Sequence, residues 1–155
     1  MPTSHYPLED QLMDDTFNLG RFIVAQDKMY TNVVEELKAG IKTSHWMWFI
    51  FPQVESLGRT QIAKMYGIKS INEAKAYISH PLLGSRIQEC TDLVLAIDGK
   101  SANDIFGHPD YLKFRSSMTL FLRAAPQINL FQRAINKYYD GHQDTLTIEF
   151  LDADL

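Results

Sequence analysis

Apolar residues recur at helical spacing along most of this chain. Between residues 17 and 139 they fall three and four positions apart in successive segments, and Gly or Pro separates most segments. The pattern predicts a compact all-α bundle of about seven or eight short helices joined by brief loops. Residues 1–15 are polar and contain two prolines. We expect them to form a flexible N-terminal lead-in, followed by a single all-α domain over residues 16–155.

Local signals mark where several of these helices begin. Thr31 is positioned to cap the second helix, and Ser70 with Glu73 has the spacing of a capping box. Pro81 and Pro109 each suit the first turn of a longer helix, because proline lacks only an amide hydrogen that is unpaired there anyway.

Two segments are ambiguous. Nearly every residue from 45 to 51 is apolar, so periodicity does not distinguish a strand from a buried helix there. Residues 145–151 alternate in the manner of a strand, yet Asp144 before them is a suitable helix cap. The pattern alone leaves both states open for each segment.

Residues 44–53 read Ser-His-Trp-Met-Trp-Phe-Ile-Phe-Pro-Gln and contain both tryptophans of the chain. Such a block forms either the wall of a pocket or the centre of a small core. Trp46 and Trp48 are two positions apart, so in a helix they point to nearly opposite sides. We therefore expect one of them in the core, without deciding which, and the other free to stack on a ligand ring.

Composition and charge exclude several classes of function. A net charge of −4 over 155 residues gives no basic field for general nucleic-acid binding. The single cysteine, Cys90, excludes an intramolecular disulfide, and its apolar helical setting predicts a buried thiol. The sequence shows no secretory signal and no apolar run long enough to cross a membrane. We expect a cytoplasmic protein that does not associate with membranes.

Polar residues beside the apolar blocks form a candidate binding site for an anion. His45 could act as a general acid or base, or simply bond to backbone. Arg86 could bind a carboxylate or phosphate near a helix start, or pair with Glu89 or Asp92. The candidate ligand-binding residues are His45, Trp46, Trp48, Gln53, Arg59, Arg86, Lys113, Arg115 and Ser117.

Asp110, Lys113 and Ser117 share one side of a predicted helix. A lysine four residues before a serine permits a Ser–Lys nucleophile pair, although no oxyanion-hole glycine pattern accompanies it. Anion binding by Lys113 and Arg115 is the interpretation we favour. No histidine has a second ligand residue at a known metal-binding spacing, and no glycine-rich phosphate loop is present. We therefore predict no metal and no cofactor.

Three ordered blocks carry a family resemblance. They are His45-Trp-Met-Trp-Phe-Ile-Phe-Pro-Gln53, His80-Pro-Leu-Leu-Gly-Ser-Arg86 and Lys113-Phe-Arg-Ser-Ser-Met-Thr-Leu-Phe121. Together they resemble bacterial domain-of-unknown-function family 1810 over about residues 17–152. The resemblance implies a compact all-α fold with a helical C-terminal segment, and it supplies no reaction or catalytic residue. Some members are labelled calpastatin, which does not suit this chain because such an inhibitor is disordered and repetitive.

These observations favour a cytoplasmic domain that binds a small anionic or nucleotide-like ligand in a pocket beside residues 45–53. The alternative is a non-catalytic protein–protein interaction module that uses an exposed aromatic patch. Whether the domain is an enzyme stays open. The most specific enzymatic hypothesis is a hydrolase or glycosidase that acts on a nucleotide conjugate. A homo-oligomer is compatible with either function.

Overall fold

The computed structural model describes residues 15–57 and 59–153, and most of this part of the chain is helical. The helices are α1 (Gly20–Asp27), α2 (Tyr30–Ala39), α3 (Met47–Ile50), α4 (Gln61–Met65), α5 (Ile71–Ser79), α6 (Pro81–Leu95), α7 (Ala102–Phe106), α8 (Asp110–Ala124), α9 (Leu130–Tyr139) and α10 (Thr145–Ala153), with a 3₁₀ turn at Glu55–Leu57. Within the described residues, β pairing is limited to one isolated parallel bridge between Val54 and Ile68. The all-α prediction is confirmed, and nearly all of the predicted lead-in lies outside the described residues.

Helix α8 lies at the centre of the fold because much of its surface is apolar. It packs against α5, α7, α9 and α10, and Phe114, Met118 and Phe121 are fully buried. The Phe121 ring lies 5.3 Å from that of Tyr77 on α5 and 5.9 Å from that of Phe131 on α9, between ring centroids. Burying each such side chain contributes about 1.5–3 kcal/mol, so α8 joins the surrounding helices into one core.

The predicted capping box at the start of α5 forms only in part. Ser70 Oγ accepts from the Glu73 amide at 3.1 Å, but the Glu73 carboxylate accepts from the Lys69 amide instead of that of Ser70. A complete box forms between Ser101 and Asp104 at the start of α7. Short polar side chains therefore begin both helices.

The guanidinium of Arg21 explains the incomplete box. It donates to the Glu73 carboxylate at 2.8 Å, to the Met65 carbonyl at 2.8 Å and to the Gly67 carbonyl at 3.2 Å. This ion pair holds the Glu73 side chain toward α1, and the contacts tie α1 to the segment between α4 and α5.

The predicted cap at Thr31 is wrong. A cap at Thr31 would make Asn32 the first helical residue, but α2 begins at Tyr30, and the preceding Met29 makes no side-chain capping bond. The Tyr30 hydroxyl donates to Glu89 on α6, and the Arg86 guanidinium lies 4.7 Å from the centroid of the Tyr30 ring. Contacts with a distant helix therefore hold the residue at which α2 begins, and a local cap does not.

Both ambiguous segments are helical. Residues 47–50 form α3, and residues 145–153 form α10. Asp144 Oδ2 accepts from the Thr147 amide at 3.1 Å, so Asp144 caps α10 as its sequence position suggests. The helical C-terminal segment implied by the family resemblance is confirmed.

The Cys90 side chain is buried, as its apolar setting predicts, and burial raises the pKa of its thiol to about 12. Across residues 15–57 and 59–153, no helix combines the length and apolar character needed to cross a bilayer. The same ranges contain no group of three or more His, Cys, Asp or Glu side chains placed to hold a metal ion.

Gly84 allows the backbones of α5 and α6 to approach closely. A Cβ atom at this position would lie 2.1 Å from the carbonyl oxygen of Ile78, well inside the contact distance of the two atoms. The approach is set where the chain reverses at His80, whose Nδ1 accepts from the amides of Leu82 and Leu83 at 3.1 and 3.3 Å. Any larger residue at position 84 must push the two helices apart.

We expect Gly84→Ala to lower the free energy of unfolding by about 1–3 kcal/mol, although alanine has the higher helix propensity. Urea unfolding followed by circular dichroism measures the change. Ser85→Ala is the control, because Ser85 occupies the next position of α6 and is exposed; we expect it to change stability by less than about 0.5 kcal/mol. Equal stabilities of the two variants would contradict the close approach.

Candidate functional site

A cleft of about 390 Å³ opens where the loop before α3 meets the start of α8. It lies beside the aromatic block, and its two walls come from residues 42–48 and 106–113. The polar side chains that line it include Lys42, Ser44, His45, His108, Asp110 and Lys113. Two parts of the chain far apart in sequence therefore supply one concave surface with several charged groups.

The loop that carries Lys42 is held against α7. Helix α2 is followed by Gly40, whose φ of 80° lies in the left-handed region that glycine adopts without strain. The Lys100 ammonium donates to the Gly40 carbonyl at 2.9 Å, and the Lys42 amide donates to the Ile105 carbonyl at 2.8 Å. These bonds turn the chain out of α2 and place Lys42 beside the segment that leads to α8.

The Glu36 carboxylate on α2 organises the rest of this loop. It accepts from the amides of Thr43 at 2.7 Å and Ser44 at 3.0 Å, from the Ser44 hydroxyl, and from Trp46 Nε1 at 2.9 Å. Partial desolvation acts to raise the pKa of Glu36, but these four donors outweigh it and lower that pKa from 4.5 to about 2. The loop therefore folds around a carboxylate that is ionised at neutral pH.

Aromatic rings form the base of the cleft. Trp46 is fully buried and Trp48 is half-buried on the cleft wall, so Trp46 is the core residue that the sequence left undecided. The Phe51 ring lies 6.2 Å from that of Trp46 and 4.9 Å from that of Phe114, between centroids. Phe106, which lines the cleft, stacks on Phe114 at 4.7 Å. The cleft thus rests directly on the hydrophobic core.

Two lysines meet one carboxylate in the cleft. Lys42 Nζ lies 2.8 Å from Asp110 Oδ2, and Lys113 Nζ lies 3.5 Å from Asp110 Oδ1. The Lys42, Asp110 and Lys113 side chains are 7%, 20% and 25% exposed. Each ammonium also faces a tryptophan ring, with Lys42 5.2 Å from the Trp46 centroid and Lys113 5.3 Å from that of Trp48. Both cations are therefore held in position on an aromatic surface.

Two histidines, His45 and His108, are exposed at the rim of the cleft. The peptide bond that joins His108 to Pro109 is cis. The arrangement can bind an anionic group near the lysines while a flat ring packs beside Trp48. An imidazole at the rim can also exchange a proton or a hydrogen bond with a bound molecule.

Arg86, another predicted site residue, lies outside this cleft. Its guanidinium pairs with Asp27 on α1 at 2.9 Å and donates to Gln26 Oε1 at 3.2 Å. The ion-pair alternative considered for this residue is thus realised with Asp27 rather than with Glu89 or Asp92. Glu89, one of the two expected partners on α6, accepts instead from the Tyr30 hydroxyl.

Arg115 and Ser117 also lie away from the cleft. The Arg115 guanidinium faces the Tyr139 ring at 5.7 Å and lies 3.9 Å from Asp144. Ser117 is fully buried, and its Oγ has no hydrogen-bond partner within the described part of the chain. No Ser117–Lys113 hydrogen bond therefore forms to support a Ser–Lys nucleophile pair.

Gln53 and Arg59 occupy a different region. The Gln53 carbonyl accepts from the Ile68 amide at 2.9 Å. Arg59 lines a wider hollow of about 940 Å³ between the 3₁₀ turn and α10. The charged residues of that hollow, Arg59, Lys64 and Glu149, are all exposed, so water and salt screen them strongly. We place the candidate site in the smaller cleft because its charges are partly buried and converge.

Sequence reasoning brought together His45, Trp48 and Lys113 but missed Lys42 and His108. Lys42 directly precedes the polar residues before the aromatic block, and His108 lies in a Gly-His-Pro turn before a helix. Neither of these local patterns, taken by itself, indicates a binding site. Asp110 was recognised only as a neighbour of Lys113 on a helix face. The contact that unites these residues is tertiary.

The family model described as a protein of unknown function, DUF1810, matches residues 16–151. The chain belongs to this family. The DUF1810 domain is also similar to the crystal structure of the conserved hypothetical protein Rv1873 from Mycobacterium tuberculosis, with 51% identity and a TM-score of 0.88. That match covers 89% of this chain and 99% of the other. No curated protein matches the chain.

We expect Glu36→Gln to destabilise the DUF1810 domain at pH 7 by about 1–3 kcal/mol, because a neutral amide cannot replace a carboxylate that accepts from four donors. The folded-state pKa of Glu36 is depressed, so its contribution is present above the unfolded value of 4.5 and is lost as the pH falls toward about 2. Urea unfolding at several pH values should show the difference between wild type and variant shrinking over that window.

The control is Glu35→Gln, which removes the same charge from the adjacent, exposed position of α2. It should leave the pH dependence of stability close to that of the wild type. A Glu36→Gln penalty that stays constant from neutral pH to about pH 2 would contradict the role of the ionised carboxylate.

Proposed function

We propose that this domain binds a small anionic or nucleotide-like ligand in the cleft beside residues 45–53. The observation that carries the proposal is the convergence of Lys42 and Lys113 on Asp110, next to Trp48, in a cleft of about 390 Å³. Small-molecule sites commonly have volumes of roughly 300–1,000 Å³ and combine an apolar wall with a few placed polar groups.

The two ammonium groups support the anionic part of the proposal. Lys42 is almost buried, so water screens its charge less than that of a surface lysine. Lys113 is more exposed and stands closer to solvent. Their contacts with Asp110 and the tryptophans hold both side chains before a ligand arrives, which lowers the conformational entropy lost on binding.

The apolar wall supports the ring-bearing part of the proposal. Trp48 is half-buried on the cleft, and Met47 and Phe106 also line it. A base or another flat ring that packs on an aromatic side chain contributes about 1–3 kcal/mol. His45 and His108 at the rim offer hydrogen bonds to polar groups of such a ligand, and they are the side chains best placed for any proton transfer.

The interaction-module alternative has weaker support. Met47, Phe49, Ile50 and Phe51 are buried, and Trp48 is half-buried, so the aromatic block leaves little exposed surface for docking. The large apolar residues that are exposed, which include Ile62, Met65 and Leu146, lie outside that block. We therefore favour ligand binding.

Binding can be measured by titrating the protein with adenosine 5′-monophosphate, ADP-ribose, benzoate and phenyl phosphate while recording the two tryptophan indole N–H signals by NMR. We expect at least one probe to shift the Trp48 signal more than that of buried Trp46. Lys113→Gln should weaken this binding by roughly tenfold or more, because it removes the more accessible cation.

Lys75→Gln serves as the matched control, since Lys75 is an exposed lysine on α5 outside the cleft. It should leave the dissociation constant unchanged within about twofold. The proposal fails if no probe shifts either indole signal, or if the Lys75 and Lys113 variants weaken binding equally.

A further inference from the structure

We infer that the cleft prefers singly charged anions and that Asp110 sets this preference. The inference rests on the proposed function, because it names the class of ligand that the same cleft accepts. That class is carboxylates and phosphodiesters, each of which carries one negative charge. Phosphomonoesters, which carry nearly two at neutral pH and above, fit the cleft less well.

The charges that line the cleft lead to this preference. Lys42 and Lys113 contribute two positive charges and Asp110 contributes one negative charge, while no other Asp, Glu, Lys or Arg stands among the described lining residues. With both histidines neutral, the described lining side chains carry a net charge of +1. A monoanion neutralises that charge. A dianion leaves an excess negative charge beside the Asp110 carboxylate, and it costs more to remove from water than a monoanion, because that cost rises with the square of the charge.

The geometry indicates which cation is available. Asp110 Oδ2 lies 2.8 Å from the nearly buried Lys42 ammonium, whereas Oδ1 lies 3.5 Å from the more exposed Lys113. Breaking the shorter pair would leave a poorly solvated charge without a partner, which is costly. The Lys42–Asp110 pair therefore persists as a neutral unit. Among the described residues that line the cleft, Lys113 is then the cation available to the ligand anion.

Asp110 also begins α8, where a carboxylate interacts favourably with the helix dipole. A purely structural role of this kind affects the stability of the helix. It does not change the ratio of affinities for ligands of different charge, because the dipole interaction is present whichever ligand binds. The ratio of affinities for ligands of different charge therefore distinguishes a role of Asp110 in ligand selection from a purely structural role.

The test compares benzoate, phenyl phosphate and neutral benzamide at pH 8, above the usual range of histidine titration. The three probes share a phenyl ring and differ mainly in charge. We expect wild-type protein to bind benzoate roughly tenfold tighter than phenyl phosphate, with benzamide the weakest. In Asp110→Asn the net charge becomes +2, and phenyl phosphate should bind roughly tenfold tighter than to wild type, which removes or reverses the preference.

Asp152→Asn is the matched control. It removes the same charge from an exposed ion pair with Arg123 at 2.7 Å. Arg123 lies near the other end of α8, roughly 20 Å along the helix axis from Asp110. This variant should keep the wild-type order of affinities, which excludes a general effect of net charge.

Each outcome decides the inference. It is overturned if wild-type protein prefers phenyl phosphate, or if a folded Asp110→Asn variant keeps the wild-type ratio of affinities; ligand binding in the cleft would then still stand. If none of the three probes, nor any probe of the earlier titration, binds wild type or variant, the proposed function fails and the inference fails with it. The wild-type comparison needs no variant, so a misfolded Asp110→Asn does not prevent the test.

Discussion

The carboxylate of Glu36 holds together the loop on which the candidate site is built. A fully buried indole needs an acceptor for its N–H group, and a tight loop needs partners for its amides. Glu36 supplies both, since it accepts from Trp46 and from the backbone of Thr43 and Ser44. Anchoring Trp46 in the core also determines the orientation of α3, in which the residue two positions later, Trp48, turns toward the cleft.

The cleft depends on a second contact, between that loop and the start of α8. Lys42 lies in the loop after α2, beside α7, and reaches Asp110, which comes 68 positions later in the sequence. An ion pair that is nearly buried loses much of its Coulomb energy to desolvation, so the stability of the fold gives a weak reason for such a pair. A role in the recognition of charge, as we propose, gives a stronger one.

Helical spacing and capping residues were sufficient to predict the class of the fold. The start of α5 at Ser70 was recognised from sequence because a cap acts within one turn. The cap at Thr31 was wrong, because Tyr30 contacts α6 and a contact of that range overrides local preference. Arg86 found its partner on α1, at Asp27, for the same reason.

The sequence by itself determined an all-α fold, a buried Cys90 and the division of the two tryptophans between the core and a more accessible position. Those properties follow from residue type and from neighbours within about four positions. Tertiary structure decided that Trp46 is the core residue, that residues 47–50 are helical, and that Lys42 and Lys113 converge on Asp110. Such pairings depend on the angles at which helices pack, and those angles are set by the whole core rather than by any local pattern.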